Sequence, residues 1–187
     1  NAIADGSTST AMGYATIASG DYSTAMGKQT TASGDYSTSM GRDTTANGYS
    51  STSMGLGTTA NGDYSTAMGV FTIASGEFST SMGFRTTASG DISTAMGRNT
   101  TASDFGSTVI GQYNLLGSTA TNSATLFNTE NTAFVIGNGA DTNDRSDALT
   151  VLFYGTTTIA GELSINSDAR LRANIISLGS TLVKLLQ

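Results

Sequence analysis

The apolar and polar positions of the first 111 residues repeat every fourteen residues. Each of the seven Met residues falls on the same position of the repeat, Ile110 occupies the next such position, and a Gly follows each of them. Within this segment side chains should alternate, so that Thr24 and Met26 face one side of a strand and Ala25 faces the other. The pattern predicts a ladder formed by Met12, Met26, Met40, Met54, Met68, Met82, Met96 and Ile110.

A second row of Gly recurs at the same fourteen-residue step. Two Gly per repeat would cost a helix about 1 kcal/mol each relative to Ala, and the sequence has no 3.6-residue period. Both Gly rows suit turns, where a positive φ costs Gly little. We therefore predict an all-β solenoid whose coils each have two short strands and two turns. The predicted turn glycines are Gly20, Gly34, Gly48, Gly62, Gly76 and Gly90.

The interior of such a coil is too small to stabilise a single chain. Equivalent residues of stacked coils lie about 4.8 Å apart, so a row of Ala, such as Ala18 and Ala32, should fill a thin interior. One Met and one or two Ala per coil cannot offset about 1–2 kcal/mol of backbone entropy per residue. We predict that several chains associate laterally and bury the Met-bearing face or an adjacent face. The alternative is a monomeric roll with the Met row inside.

The composition excludes several classes of function. Charged residues make up 12% of the 187 residues, the net charge is −6, and the chain has no Cys, His, Pro or Trp. An acidic chain does not replace counterions along a phosphate backbone, so we predict no nucleic-acid partner. Without His and Cys, most transition-metal and nucleophilic chemistry is excluded, and we expect neither cofactor nor catalytic cleft. No apolar run reaches the roughly 20 residues that span a bilayer.

Three further rows suggest binding chemistry. An acidic row suggests a Ca²⁺ site, with solvated turn residues as the simpler interpretation; it consists of Asp21, Asp35, Asp63, Glu77 and Asp91. The residues that follow these acids are Tyr22, Tyr36, Tyr64, Phe78 and Ile92. We expect these rings to pack across coils or between chains, and stacking on sugar rings is the alternative. Adjacent Thr pairs, such as Thr30 and Thr31, suggest ice binding, but neighbouring side chains of a strand point to opposite faces.

The loss of the period after residue 111 divides the chain into three parts. Residues 1–111 form the predicted roll. Residues 112–166 contain short strand patterns separated by Gly155 and Gly161, and we predict an intertwined β neck. In residues 167–187, apolar residues spaced by 4, 3, 4 and 3 predict a short helix, either in a coiled coil or packed on another element. These apolar residues are Leu171, Ile175, Leu178, Leu182 and Leu185.

The repeat resembles the head repeat of trimeric autotransporter adhesins of the YadA type. The resemblance rests on S-T-A-M-G-x-x-T-T-A-S-G-D-Y and covers about residues 3–111. The family has an aliphatic Val/Ile pair where this chain has Thr and Met. The resemblance implies a left-handed parallel β-roll, a homotrimer with one sheet of each protomer facing the threefold axis, and an extracellular location.

The stretch from Ser167 to about Ile176 resembles the opening of the endosialidase-type intramolecular chaperone domain. That domain assists trimerisation and then cleaves itself, which implies a cleavage junction between Ser167 and Asp168 here. The family uses a Lys as the base, and Arg172 occupies that position. Since Arg keeps its proton in proteins, we predict slow or absent cleavage. Residues 167–187 would then be the truncated, helical start of this domain.

These observations favour a non-enzymatic homotrimeric fibre, an adhesin-like head or stalk that attaches a bacterial surface to a host-cell glycan or matrix protein. One alternative is a receptor-binding tail fibre of a phage or phage-like contractile injection particle, which the chaperone-like end supports. A self-processing peptidase and an ice-binding solenoid are further alternatives, disfavoured by Arg172 and by the alternation of the Thr pairs respectively.

Overall fold

The computed structural model describes residues 1–116 and 123–162. Within these residues the chain is all β and contains no helix. The strands are numbered in chain order and fall into two sheets, which we name sheet A and sheet B. The predicted helix of residues 167–187, with the junction at Ser167 and Asp168 and with Arg172, lies outside the described residues.

Each coil of the roll contributes one short strand to sheet A and one longer strand to sheet B. The two-residue strands of sheet A are β1 Ile3–Ala4, β3 Ile17–Ala18, β5 Thr31–Ala32, β7 Thr45–Ala46, β9 Thr59–Ala60, β11 Ile73–Ala74, β13 Thr87–Ala88 and β15 Thr101–Ala102. The five-residue strands of sheet B are β2 Thr10–Tyr14, β4 Thr24–Lys28, β6 Thr38–Arg42, β8 Thr52–Leu56, β10 Thr66–Val70, β12 Thr80–Phe84, β14 Thr94–Arg98 and β16 Thr108–Gln112. The predicted coil of two strands and two turns is confirmed.

Parallel pairing keeps residues fourteen apart in register. In sheet B, Met26 pairs with Met40 and Met40 with Met54. In sheet A, Ala32 pairs with Ala46. Because residues at the same position of the repeat pair in every pair of neighbouring coils, each such position becomes a straight row of side chains along the roll axis.

The interior holds only small side chains. Four rows are buried in successive coils, represented in one coil by Ser23, Ala25, Thr30 and Ala32, each fully buried. Ser replaces Ala at the second of these positions in some coils, as at Ser39. Because these side chains are small, the two sheets lie close together, which confirms the predicted thin interior. Ala25 faces this interior, opposite to Met26, as the alternation predicts.

Sheet B continues beyond the predicted end of the roll at Gly111. Strand β17 Thr132–Asn138 pairs in parallel with β16, and Ile110 is opposite Ile136. The next strands, β18 Asp147–Leu152 and β19 Thr157–Ile159, pair antiparallel. Strand β17 therefore adds one further parallel strand after an insertion in the chain, and the strands that follow it are antiparallel.

Candidate interaction surfaces of the roll

The outward face of sheet B carries two continuous rows, one of Thr and one of Met. The Met row remains at the surface of the single chain: Met12 is 57% exposed, Met82 38% and Met96 37%, and the Met residues between coils two and five are half-buried. The alternative of an internal Met row is therefore wrong. A flat apolar ladder along one whole face is the kind of surface that marks an interaction site.

Both Gly rows are required because the backbones of successive coils approach each other closely at these positions. This corrects the sequence prediction, which assigned both rows to turns with a positive φ. Gly34 opens a turn, as predicted, but its φ is not positive; a Cβ there would overlap the carbonyl oxygen of Gly48. Gly27 lies inside a strand with φ +127° and faces Gly41 in the same way. The left-handed turn positions are filled by other residues, such as Tyr36 (φ 60°) and Asp43 (φ 55°).

The acidic row lies along one edge of sheet B and ties successive coils together. The backbone N–H of Asp21 donates to Asp35 Oδ1 at 2.9 Å, that of Tyr49 to Asp63 at 2.8 Å, and that of Glu77 to Asp91 at 2.9 Å. Each bond satisfies a turn N–H that the turn itself leaves unpaired. Among residues 1–116 and 123–162, no group of three or more acidic, His or Cys side chains is placed to hold a metal ion.

The aromatic residues of this edge form one continuous ladder of five rings. Tyr22 and Tyr36 stack with centroids 5.0 Å apart, and Tyr64 and Phe78 stack at 4.9 Å. Tyr49 connects the two pairs, edge-on, at 5.4 Å from Tyr36 and 5.4 Å from Tyr64. The predicted packing across coils is confirmed. Each stacked ring has one face covered by its partner, and the four stacked rings remain 48–53% exposed.

Tyr49 was missed by the sequence prediction because it stands one position early. Its coil contains Gly-Tyr-Ser where the neighbouring coils contain Gly-Asp-Tyr. By its position in the repeat Tyr49 falls in the column of the acidic residues, and the length of its side chain lets its ring fill the gap in the aromatic row. Partial burial in the ladder raises the pKa of the Tyr36 phenol, and nearby Tyr49, Tyr22, Asp35 and Asp21 raise it further.

The opposite edge of sheet B carries the basic residues of the roll, which are exposed: Lys28, Arg42, Arg85 and Arg98. Several lie over aromatic rings. The Lys28 ammonium is 5.9 Å from the ring of Tyr14, and the Arg85 guanidinium is 5.3 Å from the ring of Phe84. Arg42 also forms an ion pair with its neighbour Asp43 at 3.0 Å. The edge is therefore cationic and partly aromatic.

The Thr pairs divide between interior and surface, as the alternation predicts. Thr30 is fully buried, whereas Thr31 is half-buried on the outer face of sheet A. Ile17 and Ile73 interrupt that outer row. Sheet A thus offers one outward residue per strand, and its Thr row is discontinuous, which does not match the paired Thr ranks that ice binding requires.

A cavity of about 220 Å³ lies where the roll meets the antiparallel strands. Asp104 and Asp147 both line it, but each carboxylate anchors a different segment. Asp104 Oδ2 accepts the N–H of Thr132 at 2.9 Å, and Asp147 Oδ1 accepts the N–H of Leu115 at 3.0 Å. Burial raises the pKa of Asp147, against the lowering effect of its hydrogen bonds. Each carboxylate therefore anchors a segment of the junction, while Asp104 Oδ1 is buried with no hydrogen-bond partner among the described residues.

These features together define a class of protein: a repetitive parallel β-solenoid with a regular, elongated surface. The family model named YadA head domain repeat, which spans two copies of the repeat, matches overlapping segments that extend from residue 4 to residue 114. The chain belongs to this family. The matched segments are 4–30, 18–44, 32–58, 46–72, 60–86, 74–100 and 88–114. A comparison with curated proteins gives no match. In the described part of the chain, no helix is long and apolar enough to cross a membrane.

Proposed function

We propose that the chain is a non-enzymatic segment of a homotrimeric extracellular fibre, an adhesin-like head or stalk on a bacterial surface. The observation that carries the proposal is the exposed Met row on a roll that belongs to the YadA head repeats. A face of this kind requires a partner along its whole length, and identical copies of the chain present a face of the same length.

Trimerisation through sheet B would offset the weakness of the thin interior. Full burial of a Met side chain contributes about 1.5–3 kcal/mol, and each of the first seven coils presents one Met on this face, with Ile110 in the eighth. The Thr side chains of the neighbouring row are short enough to let the sheets of three protomers approach closely. Obligate oligomers of this type bury their apolar face between subunits rather than within them.

The proposed role of the fibre is to hold a binding surface away from the cell. About seven coil-to-coil steps at 4.8 Å give a rod of roughly 35 Å. The backbone groups of successive coils are hydrogen-bonded throughout the roll, for example from Thr31 N–H to Thr44 oxygen at 2.9 Å. Such a rod suits attachment to a host-cell glycan or a matrix protein.

A second candidate is a receptor-binding tail fibre of a phage or a phage-like contractile injection particle. It shares the trimeric roll and is favoured by the chaperone-like sequence from Ser167 onward. We propose that cleavage between Ser167 and Asp168 is slow or absent in either setting, because Arg172 stands where a Lys base is required.

Immunogold electron microscopy of the native source, with an antibody against the roll, tests the proposed location. Gold over the cell envelope supports the surface fibre, and screening against host glycans and matrix proteins follows. Gold at the ends of released particles supports the tail fibre instead. Gold confined to the cytoplasm would contradict both.

A further inference from the structure

The two edges of sheet B carry opposite charges. We define the acidic edge as Asp21, Asp35, Asp63, Glu77 and Asp91, together with the five-ring aromatic ladder. We define the basic edge as Lys28, Arg42, Arg85 and Arg98. A strand of sheet B separates the two edges within one chain, so the acids of one edge do not pair with the bases of the other edge of the same chain. In the described part of the chain the one ion pair is that of Arg42 with its neighbour Asp43.

The charges of the two edges are also matched coil by coil. Every basic residue of the roll lies in a coil with an acid on the other edge, as Lys28 follows Asp21 and Arg98 follows Asp91. The coil with Tyr49 in place of the acid has Leu56 in place of the base. Two coils depart from this match: Val70 occupies the basic-edge position in the coil of Asp63, and Phe84 occupies it in the coil of Glu77, where the base, Arg85, follows one residue later.

The apolar residues of the two edges follow the same match. In the middle of the roll the basic edge is apolar, with Leu56, Val70, Phe71 and Phe84. The acidic edge at these levels presents Tyr49, Tyr64 and Phe78, which are 41–52% exposed. If the two edges come together, charge faces charge at the levels of Asp21, Asp35 and Asp91. Apolar groups face each other in the middle of the roll, where the carboxylates of Asp63 and Glu77 lie beside the rings of Tyr64 and Phe78.

We propose that the acidic edge of one protomer packs against the basic edge of the next in the trimer. This inference rests on the proposed homotrimer with sheet B toward the axis. A threefold rotation places one edge of each sheet beside the opposite edge of its neighbour, in a closed head-to-tail ring. Residues of one coil then meet at nearly equal heights, since half a coil rises only about 2.4 Å.

This pairing specifies the assembly in a way that the Met row does not. An apolar ladder alone tolerates sliding by one coil or an antiparallel arrangement of chains, because every step looks alike. The edge pairing selects the parallel arrangement and a single register. It places Arg42 of one protomer beside Asp35 of the next, and one coil further it places Leu56 beside Tyr49. The irregular coil at Tyr49 distinguishes the correct register from registers shifted by one coil.

Disulfide trapping tests the pairing, since the chain has no native Cys. The full chain carrying Asp35→Cys and Arg42→Cys is treated with diamide, and its mass is measured by light scattering and on a non-reducing denaturing gel. Within one chain the two sites are roughly 15–20 Å apart along the strand, whereas a disulfide requires Cα atoms within about 7 Å. The proposal predicts that most chains become covalent trimers.

The matched controls are the two single variants and the pair Asp35→Cys with Asp91→Cys, in which both thiols lie on the acidic edge. These should give noncovalent trimers without cross-links. A trimer by light scattering without covalent trimers from the Asp35/Arg42 pair would overturn the edge pairing but leave the homotrimer intact. Equal cross-linking of the two-acid control would overturn the head-to-tail order. A monomer in solution would overturn the homotrimer and the pairing together.

Discussion

At the scale of single residues, the interior of the roll depends on hydroxyl groups and on the coil-to-coil choice between Ser and Ala. Where a coil has Ser, it bonds the Thr five residues later: Ser39 to Thr44 at 2.8 Å and Ser53 to Thr58 at 2.7 Å. Where a coil has Ala, as at Ala25, the buried Thr30 hydroxyl has no hydrogen-bond partner among the described residues. Buried unpaired hydroxyls of this kind cost stability.

Ala25→Ser should therefore stabilise the protein. The added hydroxyl would pair with Thr30 as Ser39 pairs with Thr44, and Ser at the equivalent position of the next coil shows that the space is sufficient. The expected gain is about 1 kcal/mol in the free energy of unfolding, measured by denaturant titration. Ser39→Ala is the reverse control and should lose a similar amount. A loss of stability in Ala25→Ser would show that the interior does not accept the group.

The Gly rows permit the backbones of successive coils to approach each other, and a side chain at a single one of these positions should disturb that approach. Gly76→Ala would place a Cβ against the carbonyl of Gly90, where backbone on both sides prevents relief. We expect a loss of about 3 kcal/mol or failure to fold, measured as the change in thermal unfolding. Ser75→Ala, on the exposed neighbour in the same turn, is the control and should change little. Equal stability of the two variants would contradict the close-approach explanation.

At the scale of elements, a turn gains its stability from the turns above and below it. The two left-handed positions of each coil are mostly filled by residues with side chains, such as Tyr36 and Gln29, although Gly would adopt that conformation more easily. Contacts between coils compensate for this cost. The backbone N–H of Tyr36 donates to the backbone carbonyl oxygen of Asp21 at 2.7 Å, and the ring of Tyr36 stacks on that of Tyr22.

Tyr49→Ala should uncouple the aromatic ladder at its centre. The variant loses two ring contacts, to Tyr36 and to Tyr64, and each such pair contributes about 0.5–1.5 kcal/mol. We expect a loss of about 1–3 kcal/mol in unfolding free energy, measured by chemical denaturation. Tyr22→Ala removes a single ring contact at the end of the ladder and should cost about half as much. A larger effect for Tyr22 than for Tyr49 would show that the ladder is not the cause.

At the scale of the whole molecule, the roll is a rod with an apolar face along its length, which the proposed homotrimer would cover. Stacked repeats contact only their neighbours, so length adds stability coil by coil. In the proposed trimer, lateral association would add a separate contribution to stability from all coils together. Changes on the outward face of sheet B should therefore affect the assembly more than the coil, while changes on the outer face of sheet A should affect neither.

Met54→Asp places a charge in the middle of the Met row, which is half-buried in the single chain. Because an unpaired carboxylate is costly to bury between protomers, we expect the trimer to dissociate, as measured by light scattering, while the β circular-dichroism signal is retained at low temperature. Thr59→Asp, on the outer face of sheet A, is the control and should remain trimeric. A trimeric Met54→Asp variant would show that the Met row is not the interface.

The fourteen-residue period by itself determined the coil, the register and the inward or outward direction of most side chains. The reason is that parallel stacking is a one-dimensional arrangement, in which position in the repeat fixes position in space. Met26, Ala25 and Thr30 could all be assigned from alternation alone. The placement of Gly34 at a turn was also accessible, although the sequence offered a positive φ as its cause where close backbone approach is the actual one.

Tertiary structure alone decided the features that depend on contacts between coils. Tyr49 joins the aromatic ladder through the length of its side chain, Asp104 accepts the N–H of Thr132, and β17 resumes parallel pairing beyond the insertion after Gln112. None of these follows from the repeat, because each arises where the sequence departs from it. At such positions the chain is no longer periodic, and only distances in space determine which groups meet.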